Sequence, residues 1–360
     1  MNKPVRQTIY PIQALRALAF LGVFASHSGV KCFGGAGAWG VSVFFVLSGF
    51  IMTYSYYGKR RIKSVSFRNN ELFARDKIRR LYMLHILTTL AMTVFMIVGD
   101  SVESTKGILN ILLIQEWIPM QQRSINGVSW YLCVTVFLYF LFPWVLEYME
   151  KDYSENKAKK FIAVLCLLQI LVGWEAYLLV TLTDYEIDIE WFVYKFPPVR
   201  ALDFVIGCNI GYLFLKRNFK RIKQAQYTIW ELVPCLLIIL GNLCYIMKSS
   251  SSTGRWWTFS IVFTISSCMT VYLFAENKGY ITKLLTNRLT LYLGDLSPYA
   301  FLIHFVVFRY IEVICRVLYG KEFVLCNKGW IKLTIGFVLT IFLSWFIAHG
   351  KNMLWLHWKK

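Results

Sequence analysis

Ten runs of about twenty mainly apolar residues recur along this 360-residue chain. About 20 such residues in a helix cross the hydrocarbon core of a bilayer. Apolar residues make up 57% of the chain and charged residues only 16%, too few to cover the surface of a soluble protein this apolar. We therefore expect an all-α integral membrane protein with about ten transmembrane helices, at residues 10–30, 37–57, 81–99, 129–148, 161–182, 198–215, 229–247, 256–275, 296–318 and 330–350.

A further apolar stretch, Ile108–Ile118, is too short to span, and we expect it to lie in the interface or to dip in as a re-entrant segment. Neither an internal repeat nor a Pro/Gly/Ser linker divides the chain, so residues 1–360 are expected to form a single transmembrane domain. The last run ends close to Lys360, so no soluble domain is expected after it. Arg16 interrupts the first run, which favours an uncleaved helix over a signal peptide.

Basic residues set the expected orientation. The net charge is +19, but the basic residues occur in short bursts between apolar runs rather than in one patch, so nucleic acid is not an expected partner. If the N-terminus is inside, the inner segments carry 26 Lys and Arg residues and the outer segments 8. This bias places both termini in the cytoplasm and predicts a multi-pass protein of the cytoplasmic (inner) cell membrane. The acidic loop 183–195 is expected outside.

One arginine and one histidine interrupt the first apolar run, at Arg16 and His27. At about 100° per residue, this spacing closes three turns with roughly 20° left over, so both side chains lie on one helix face. At about 1.5 Å per residue they stand roughly 16 Å apart along the axis. An ionisable side chain at membrane depth is costly and marks a candidate functional site. The plainer alternative is that Arg16 snorkels to the headgroups and His27 lies at the interface.

This arginine and histidine are followed by a second motif, G-x-x-x-F-F-V-L-S-G-F from Gly40 to Phe50, which includes Ser48. Together they resemble the membrane-bound acyltransferase-3 family, whose members O-acylate sugars and cell-surface polymers. The resemblance implies an O-acyltransferase that moves an acyl group, taken as acetyl, from acyl-CoA to a hydroxyl of a cell-envelope saccharide. The implied partners are acyl-CoA, a saccharide or lipid-linked saccharide acceptor, and membrane lipids.

The resemblance also suggests roles for these two side chains. Histidine, whose ordinary pKa is about 6.5, is largely neutral near pH 7 and can accept a proton. His27 is therefore the candidate general base for the attacking hydroxyl, and Arg16 the candidate contact to CoA phosphate or pantetheine. Direct transfer and transfer through a covalent intermediate both remain open.

The segment between the second and third runs ends in the sequence RDKIRR, with Arg75, Arg79 and Arg80. It resembles the family's R-x-x-R-[IL]-x-P, although Met83 replaces the proline and His85 a frequent tyrosine. We expect a loop whose arginines bind CoA phosphates, since a guanidinium presents a fork of donors suited to phosphate oxygens. Binding of anionic lipid headgroups and topology determination are the alternatives.

The sequence SWYLCVTVFLYFLFP from Ser129 resembles the family's S-W-S-L-x-V-E-x-x-F-Y-L-x-x-P and includes Trp130. Thr135 stands where the family has glutamate. Any catalytic role of that acid would have to be supplied elsewhere, or the chain would be a partner subunit without chemistry of its own. Trp130 also suits an ordinary interfacial tryptophan.

Two later motifs supply the remaining candidates. The sequence PPVRALDFVIGCNIG resembles P-x-x-R-x-x-[ED]-F-x-x-G-x-x-x-G, and Arg200 and Asp203 can pair on one helix face, as a structural ion pair or as a wall of the active site. The sequence LGDLSPYAFLIH resembles L-G-x-[IL]-S-Y-x-x-Y-L-x-H, with His304 in register. His304 could also form a polar contact between helices.

No paired Cys/His set, phosphate-binding glycine loop or serine nucleophile motif occurs, so no metal is expected. The resemblance implies acyl-CoA as the donor. Seven cysteines in apolar runs are expected to be small buried packing residues, and a disulfide between Cys32 and Cys326 is open. The rival function is a transporter or flippase of a small solute or lipid-linked sugar. Repeated halves would favour it, and none is seen.

Overall fold

The computed structural model describes residues 7–59, 62, 64–98, 104–119, 125–182, 191–217, 222–247 and 258–357. All regular structure in this part of the chain is helical. The helices are α1 (Tyr10–His27), α2 (Ala36–Tyr56), α3 (Phe67–Val98), α4 (Ser104–Ile111), α5 (Trp130–Glu150), α6 (Glu155–Leu182), α7 (Pro197–Lys216), α8 (Gln224–Met247), α9 (Phe263–Glu276), α10 (Tyr280–Leu285), α11 (Arg288–Ile331) and α12 (Phe337–His357).

Short turns connect several of these helices. Two are 3₁₀ turns, Lys31–Phe33 and Gln115–Trp117, and three are π-helical turns, Trp191–Lys195, Thr258–Val262 and Lys332–Gly336. The regular path of α11 is interrupted at Gly320, whose φ of +82° lies in the left-handed region that favours glycine. Each of the ten expected apolar segments overlaps a helix.

The outer helices carry the surface of a membrane protein. Among the described residues, six helical stretches are long and apolar enough to cross a bilayer. The most apolar stretch of α8 is only 17% buried, against 78% for that of α2. The exposed side chains on α8 and α12 include Leu236, Leu240, Val338 and Phe342. Soluble proteins rarely expose such large contiguous apolar faces, whereas lipid covers them without cost.

The centre of the protein is the contact between α2 and α7. Gly49 of α2 lies against the backbone of Phe204, and Gly207 of α7 lies against the backbone of Val46, so a side chain at either position would collide with the opposite helix. The two helices therefore approach as closely as their backbones allow, which is how small residues stabilise helix pairs in membranes.

Around this pair, α1 packs on α2 and on α11, and α5 packs on α3 and α7. The start of α5 is tied down by buried polar groups. Asn110 of α4 donates from Nδ2 to Ser129 Oγ over 2.7 Å, and Ser129 Oγ donates to Asn126 O over 2.8 Å. Asn126 Nδ2 in turn donates to the carbonyl of Leu302 in α11 over 3.3 Å. These bonds fix the start of α5 against α11, beside His304.

The expectation of a loop ending at Arg80 is wrong, because Arg75, Arg79 and Arg80 lie inside α3. Ser66 accepts a hydrogen bond at Oγ from the backbone N–H of Asn69 over 3.2 Å, which caps the helix at its start. Arginine and lysine are good helix formers, so α3 begins well before its apolar part and carries the basic residues on its exposed surface.

The cysteine expectation is partly wrong. Cys133 and Cys208 are buried, but Cys244 is exposed because it lies on the outward face of α8. Cys32 carries a free thiol. The question of a disulfide between Cys32 and Cys326 falls on a side chain, that of Cys326, outside the described residues. Most of the expected outer loop 183–195 also lies outside the described residues. The stretch Ile108–Ile118 contains the end of α4 and a 3₁₀ turn, with its polar residues Asn110, Gln115 and Glu116 buried against the protein.

Candidate active site

Arg16 lines a cavity of about 250 Å³ between α1, α2, α5 and α11, here named the Arg16 cavity. Ser48 of α2, Thr135 and Tyr139 of α5, and Ser297 of α11 form part of its wall. Leucine, isoleucine and phenylalanine side chains form most of the rest. The cavity is near the lower end of the range for small-molecule sites, so it suits one arm of a substrate rather than a whole nucleotide.

The Arg16 guanidinium forms no hydrogen bond or ion pair with any residue that the structure describes. Tyr131, Tyr139 and the carboxylate of Asp295 act on it electrostatically without direct contact. A guanidinium partly removed from water is costly unless an anion or an acceptor approaches it. The cavity is therefore suited to a ligand with negative or strongly polar oxygen atoms.

A second cavity of about 270 Å³, the His27 cavity, lies at the other end of α1. His27 lines it together with Trp130 at the start of α5, Tyr194 and Lys195 of the π-helical turn before α7, and Tyr245 of α8. Gly34 before α2, together with Gly37, Ala38 and Val41 of α2, forms another wall. The His27 ring is exposed to this space rather than packed away from it.

His27 and His304 form a direct pair, although 277 positions separate them in the sequence. Nδ1 of His27 lies 2.9 Å from Nε2 of His304, and the two rings are nearly coplanar, with an angle of 16° between them. His304 is fully buried among phenylalanines, with the rings of Phe20 and Phe24 centred 6.2 and 6.0 Å away. In such surroundings a neutral, hydrogen-bonded imidazole is the stable form.

The hydrogen bonds assign the protons on the two rings. Nδ1 of His304 lies 3.2 Å from the carbonyl oxygen of Ala300, which can only accept, so Nδ1 of the neutral His304 ring carries the proton. Its Nε2 must then accept, and Nδ1 of His27 must donate to it. The remaining nitrogen of His27, Nε2, is left with a free lone pair. His304 thereby holds His27 in the tautomer that a general base requires.

Aromatic rings separate the two cavities. Phe301 lines both of them, whereas Trp130 faces the His27 cavity and the next residue, Tyr131, faces the Arg16 cavity. The Tyr131 ring packs on Phe45 and on Phe301, with centroids 4.9 Å apart in each case. The cavities are thus neighbours along α1, with an aromatic layer between Arg16 at one end and His27 at the other.

The profile of the acyltransferase-3 family, which describes an acyltransferase domain, matches residues 9–349. The chain belongs to the acyltransferase-3 family. It is 26% identical over 335 residues to the acyltransferase MdmB of Streptomyces mycarofaciens, an alignment that covers 83% of this chain and 79% of that protein. No solved structure matches the chain significantly. The protein is a membrane acyltransferase, and this sets aside the transporter as its function.

In this acyltransferase, Arg75, Arg79 and Arg80 are exposed and do not line either cavity. They lie on the part of α3 that leads directly to Leu81, which does line the Arg16 cavity. The three arginines therefore precede a cavity residue on the same helix, but they do not form part of the cavity wall.

Arg200 and Asp203 form the expected ion pair, with Nη1 of Arg200 2.7 Å from the Asp203 carboxylate and both side chains fully buried. The carboxylate also accepts hydrogen bonds from Gln169 Nε2 over 2.7 Å and from Thr264 Oγ1 over 2.8 Å. Nη2 of Arg200 donates to the carbonyl of Val193 over 2.7 Å. The pair lines neither cavity, and it supports the turn that faces the His27 cavity.

Sequence reasoning missed Tyr194 and Lys195 as cavity residues, and it missed that His304 contacts His27. The signal for His304 was its place in an apolar run, which marks a costly polar group without naming its partner. Tyr194 and Lys195 stand before a proline pair, in a stretch with no helical periodicity. Nothing local to them indicated that they face the same space as His27.

Proposed function

We propose that this acyltransferase moves an acetyl group from acetyl-CoA to a hydroxyl of a cell-envelope saccharide. In this proposal residues 1–360 form one domain of ten transmembrane helices in the cytoplasmic membrane, with both termini in the cytoplasm. The 26-to-8 division of basic residues supports that orientation. It puts the Arg16 end of α1 on the cytoplasmic side, where CoA is made, and the His27 end on the outer side.

One observation carries the proposal: a single helix presents to one cavity a cation that no described residue pairs with, and to the next cavity a base with a free lone pair. CoA bears phosphates and a long polar pantetheine arm. Arg16 offers donors to that arm or to a phosphate, and Arg75, Arg79 and Arg80 provide a basic approach on α3. The thioester end then reaches between the aromatic rings toward His27.

His27 Nε2 takes the proton of the acceptor hydroxyl as its oxygen attacks the thioester carbon. The His27 ring becomes an imidazolium whose Nδ1–H still donates to His304, and this bond strengthens because the donor is now charged. Collapse of the tetrahedral intermediate releases the CoA thiolate, which takes the proton from His27. Each cycle thus returns the histidine pair to its starting tautomers.

The walls of the His27 cavity support a saccharide acceptor. The flat rings of Trp130, Tyr194 and Tyr245 offer apolar faces with polar edges, which suits a pyranose that has C–H groups on its faces and hydroxyls around its rim. Ser48 and Thr135 line the Arg16 cavity, so in this proposal they contact acetyl-CoA rather than the saccharide.

The test uses purified protein in lipid vesicles with labelled acetyl-CoA and the surface saccharides of the source cell, with turnover measured per folded molecule. We expect His27→Ala to lower kcat and kcat/KM together by roughly a hundredfold or more while acetyl-CoA still binds. Arg16→Ala should weaken acetyl-CoA binding by about ten- to a hundredfold, and Arg16→Lys should recover part of it.

His349→Ala and Arg288→Ala are matched controls, because both residues are exposed and neither lines either cavity. Both should keep normal turnover. Near-normal turnover of His27→Ala would end its assignment as the base. If the Arg16 and His27 variants lower only the amount of folded protein and keep normal turnover per folded molecule, Arg16 and His27 are structural.

A further inference from the structure

The His27 cavity contains a cation that the proposed function does not use. Lys195 is the permanently charged residue among the described residues that line this cavity, whose other walls are aromatic, small or apolar. Its side chain is half-buried, and no described residue forms an ion pair with its ammonium. Its charge acts electrostatically on His27, as does that of Lys332, which forms an ion pair with Glu312 and does not line the cavity. A half-buried, unpaired ammonium favours the approach of a negative charge.

The backbone that carries Lys195 is rigidly held. Lys195 ends the π-helical turn Trp191–Lys195, which is closed by a hydrogen bond from Phe196 N–H to the Trp191 carbonyl over 2.9 Å. At the other end of the turn, Trp191 Nε1 donates to the carbonyl of Glu116 over 3.1 Å. Single π-helical turns of this kind are frequent at functional sites.

The ion pair of α7 holds the same turn from a second side. Arg200 donates to the carbonyl of Val193, and its guanidinium lies over the Tyr194 ring, 5.5 Å from the centroid. Asp203 in turn fixes the guanidinium. A buried charged network therefore ends at the residue next to Lys195, so the origin of the Lys195 side chain is set before any substrate binds.

The reaction creates a negative charge in this cavity. When the acceptor oxygen attacks the thioester carbon, a C–O bond forms, the electron pair of the C=O bond moves to the carbonyl oxygen, and the hydroxyl proton goes to His27. The intermediate is an oxyanion. When it collapses, the C=O bond re-forms, the C–S bond breaks with its electron pair on sulfur, and the sulfur takes the proton from His27. Donors aimed at the oxyanion are commonly the largest single contribution to such reactions.

We propose that Lys195 Nζ stabilises this oxyanion, and so is a further catalytic residue of the transfer. The role rests on the proposed function, because it needs a thioester carbonyl in the His27 cavity. Lys195 acts through its positive charge and its N–H donors, and it exchanges no proton with the substrate. The competing role for the same ammonium, binding a carboxylate or phosphate of the acceptor, would affect anionic acceptors alone.

The test compares two CoA thioethers that need no acceptor, S-acetonyl-CoA and S-trifluoroacetonyl-CoA. The trifluoromethyl ketone readily becomes tetrahedral at the carbonyl carbon, so its excess affinity over the plain ketone reports on groups that favour the tetrahedral state. The variants are Lys195→Met, which keeps length without charge, and Lys195→Arg, which keeps the charge. Lys31→Met is the control, since Lys31 is an exposed lysine beyond the same end of α1 and does not line the cavity.

We expect the wild type and Lys31→Met to bind the trifluoromethyl ketone more tightly than the plain ketone. Lys195→Met should lose most of that preference and lower CoA release from acetyl-CoA by about a hundredfold, equally with methyl glucoside and with methyl glucuronide as acceptor. Lys195→Arg should recover part of both, which shows that the loss is not a folding defect.

Three results would overturn the role. If Lys195→Met still prefers the trifluoromethyl ketone over the plain ketone as strongly as the wild type does, Lys195 does not stabilise the oxyanion. The proposed function is then unaffected. A loss confined to the glucuronide identifies an anion-binding residue for the acceptor. Failure of the wild type to bind either ketone rejects CoA as the donor, and Lys195 loses its role for that different reason.

Discussion

Replacing His304 tests the proton assignment on which the proposed chemistry depends. His304→Leu removes the acceptor for His27 Nδ1–H and fills a similar volume in the phenylalanine surroundings. His304→Gln is the matched control, because Oε1 of glutamine extends about as far along the side chain as Nε2 of histidine and can accept the same hydrogen bond.

The size of the effect follows from the 2.9 Å bond between the rings. A bond between neutral groups contributes about 0.5–1.5 kcal/mol and one to a charged group about 1.5–3 kcal/mol. The gain when His27 becomes an imidazolium is thus about 1–1.5 kcal/mol, or roughly tenfold in rate. Loss of ring orientation and tautomer adds a comparable factor. We expect His304→Leu to lower kcat by about ten- to a hundredfold, and His304→Gln by less than about fivefold.

The assay is the initial rate of CoA release per folded molecule over a range of acetyl-CoA concentrations, with thermal unfolding measured in parallel. The loss should fall on kcat and kcat/KM together, with acetyl-CoA affinity unchanged. The double variant His27→Ala/His304→Leu should be no slower than His27→Ala, because the two residues act as one unit. Equal losses in His304→Leu and His304→Gln, or a change in KM alone, would refute the tautomer argument.

Three further predictions concern the scaffold and the donor side. Changing Arg75, Arg79 or Arg80 to glutamine should raise the KM for acetyl-CoA and leave kcat nearly unchanged; an unchanged KM in all three would assign them to lipid headgroups. A cysteine placed at Arg75 should react with a membrane-impermeant thiol reagent only from the cytoplasmic side, and labelling from outside would reverse the orientation. Asp203→Leu should destabilise the protein by about 3–5 kcal/mol because it strands the buried Arg200, whereas Arg200→Met/Asp203→Leu should recover much of the lost unfolding temperature.

Much of the helical framework could be predicted from the sequence because it depends on local properties. A run of about twenty apolar residues must satisfy its backbone hydrogen bonds internally in lipid, so it becomes a helix wherever it lies in the chain. Helical periodicity likewise puts Arg16 and His27 on one helix, and the three-residue spacing of Arg200 and Asp203 predicts their ion pair, which is observed at 2.7 Å. The family motifs could likewise be recognised from the sequence, because each is a pattern of residues a few positions apart.

The residue at which a helix begins was less predictable where the helix extends beyond its apolar part. The sequence around Arg75 and Arg80 indicated a basic segment, and basic residues suit a cytoplasmic loop as well as the exposed turns of a helix. The hydrogen bond from Asn69 N–H to Ser66 Oγ decided that α3 begins at Phe67. Hydropathy marks where a helix enters lipid, whereas capping marks where it starts, and in α3 these two points differ.

Only the tertiary structure decided which side chains share a cavity. His27 and His304 are both visible in the sequence as polar interruptions of apolar runs, but nothing local to either one names the other. The packing of α1 on α11 joins them, and the turn before α7 brings Lys195 to the same space. Helix formation is governed by hydrogen bonds between residues four apart, whereas an active site depends on contacts between residues hundreds of positions apart, which helix packing alone determines.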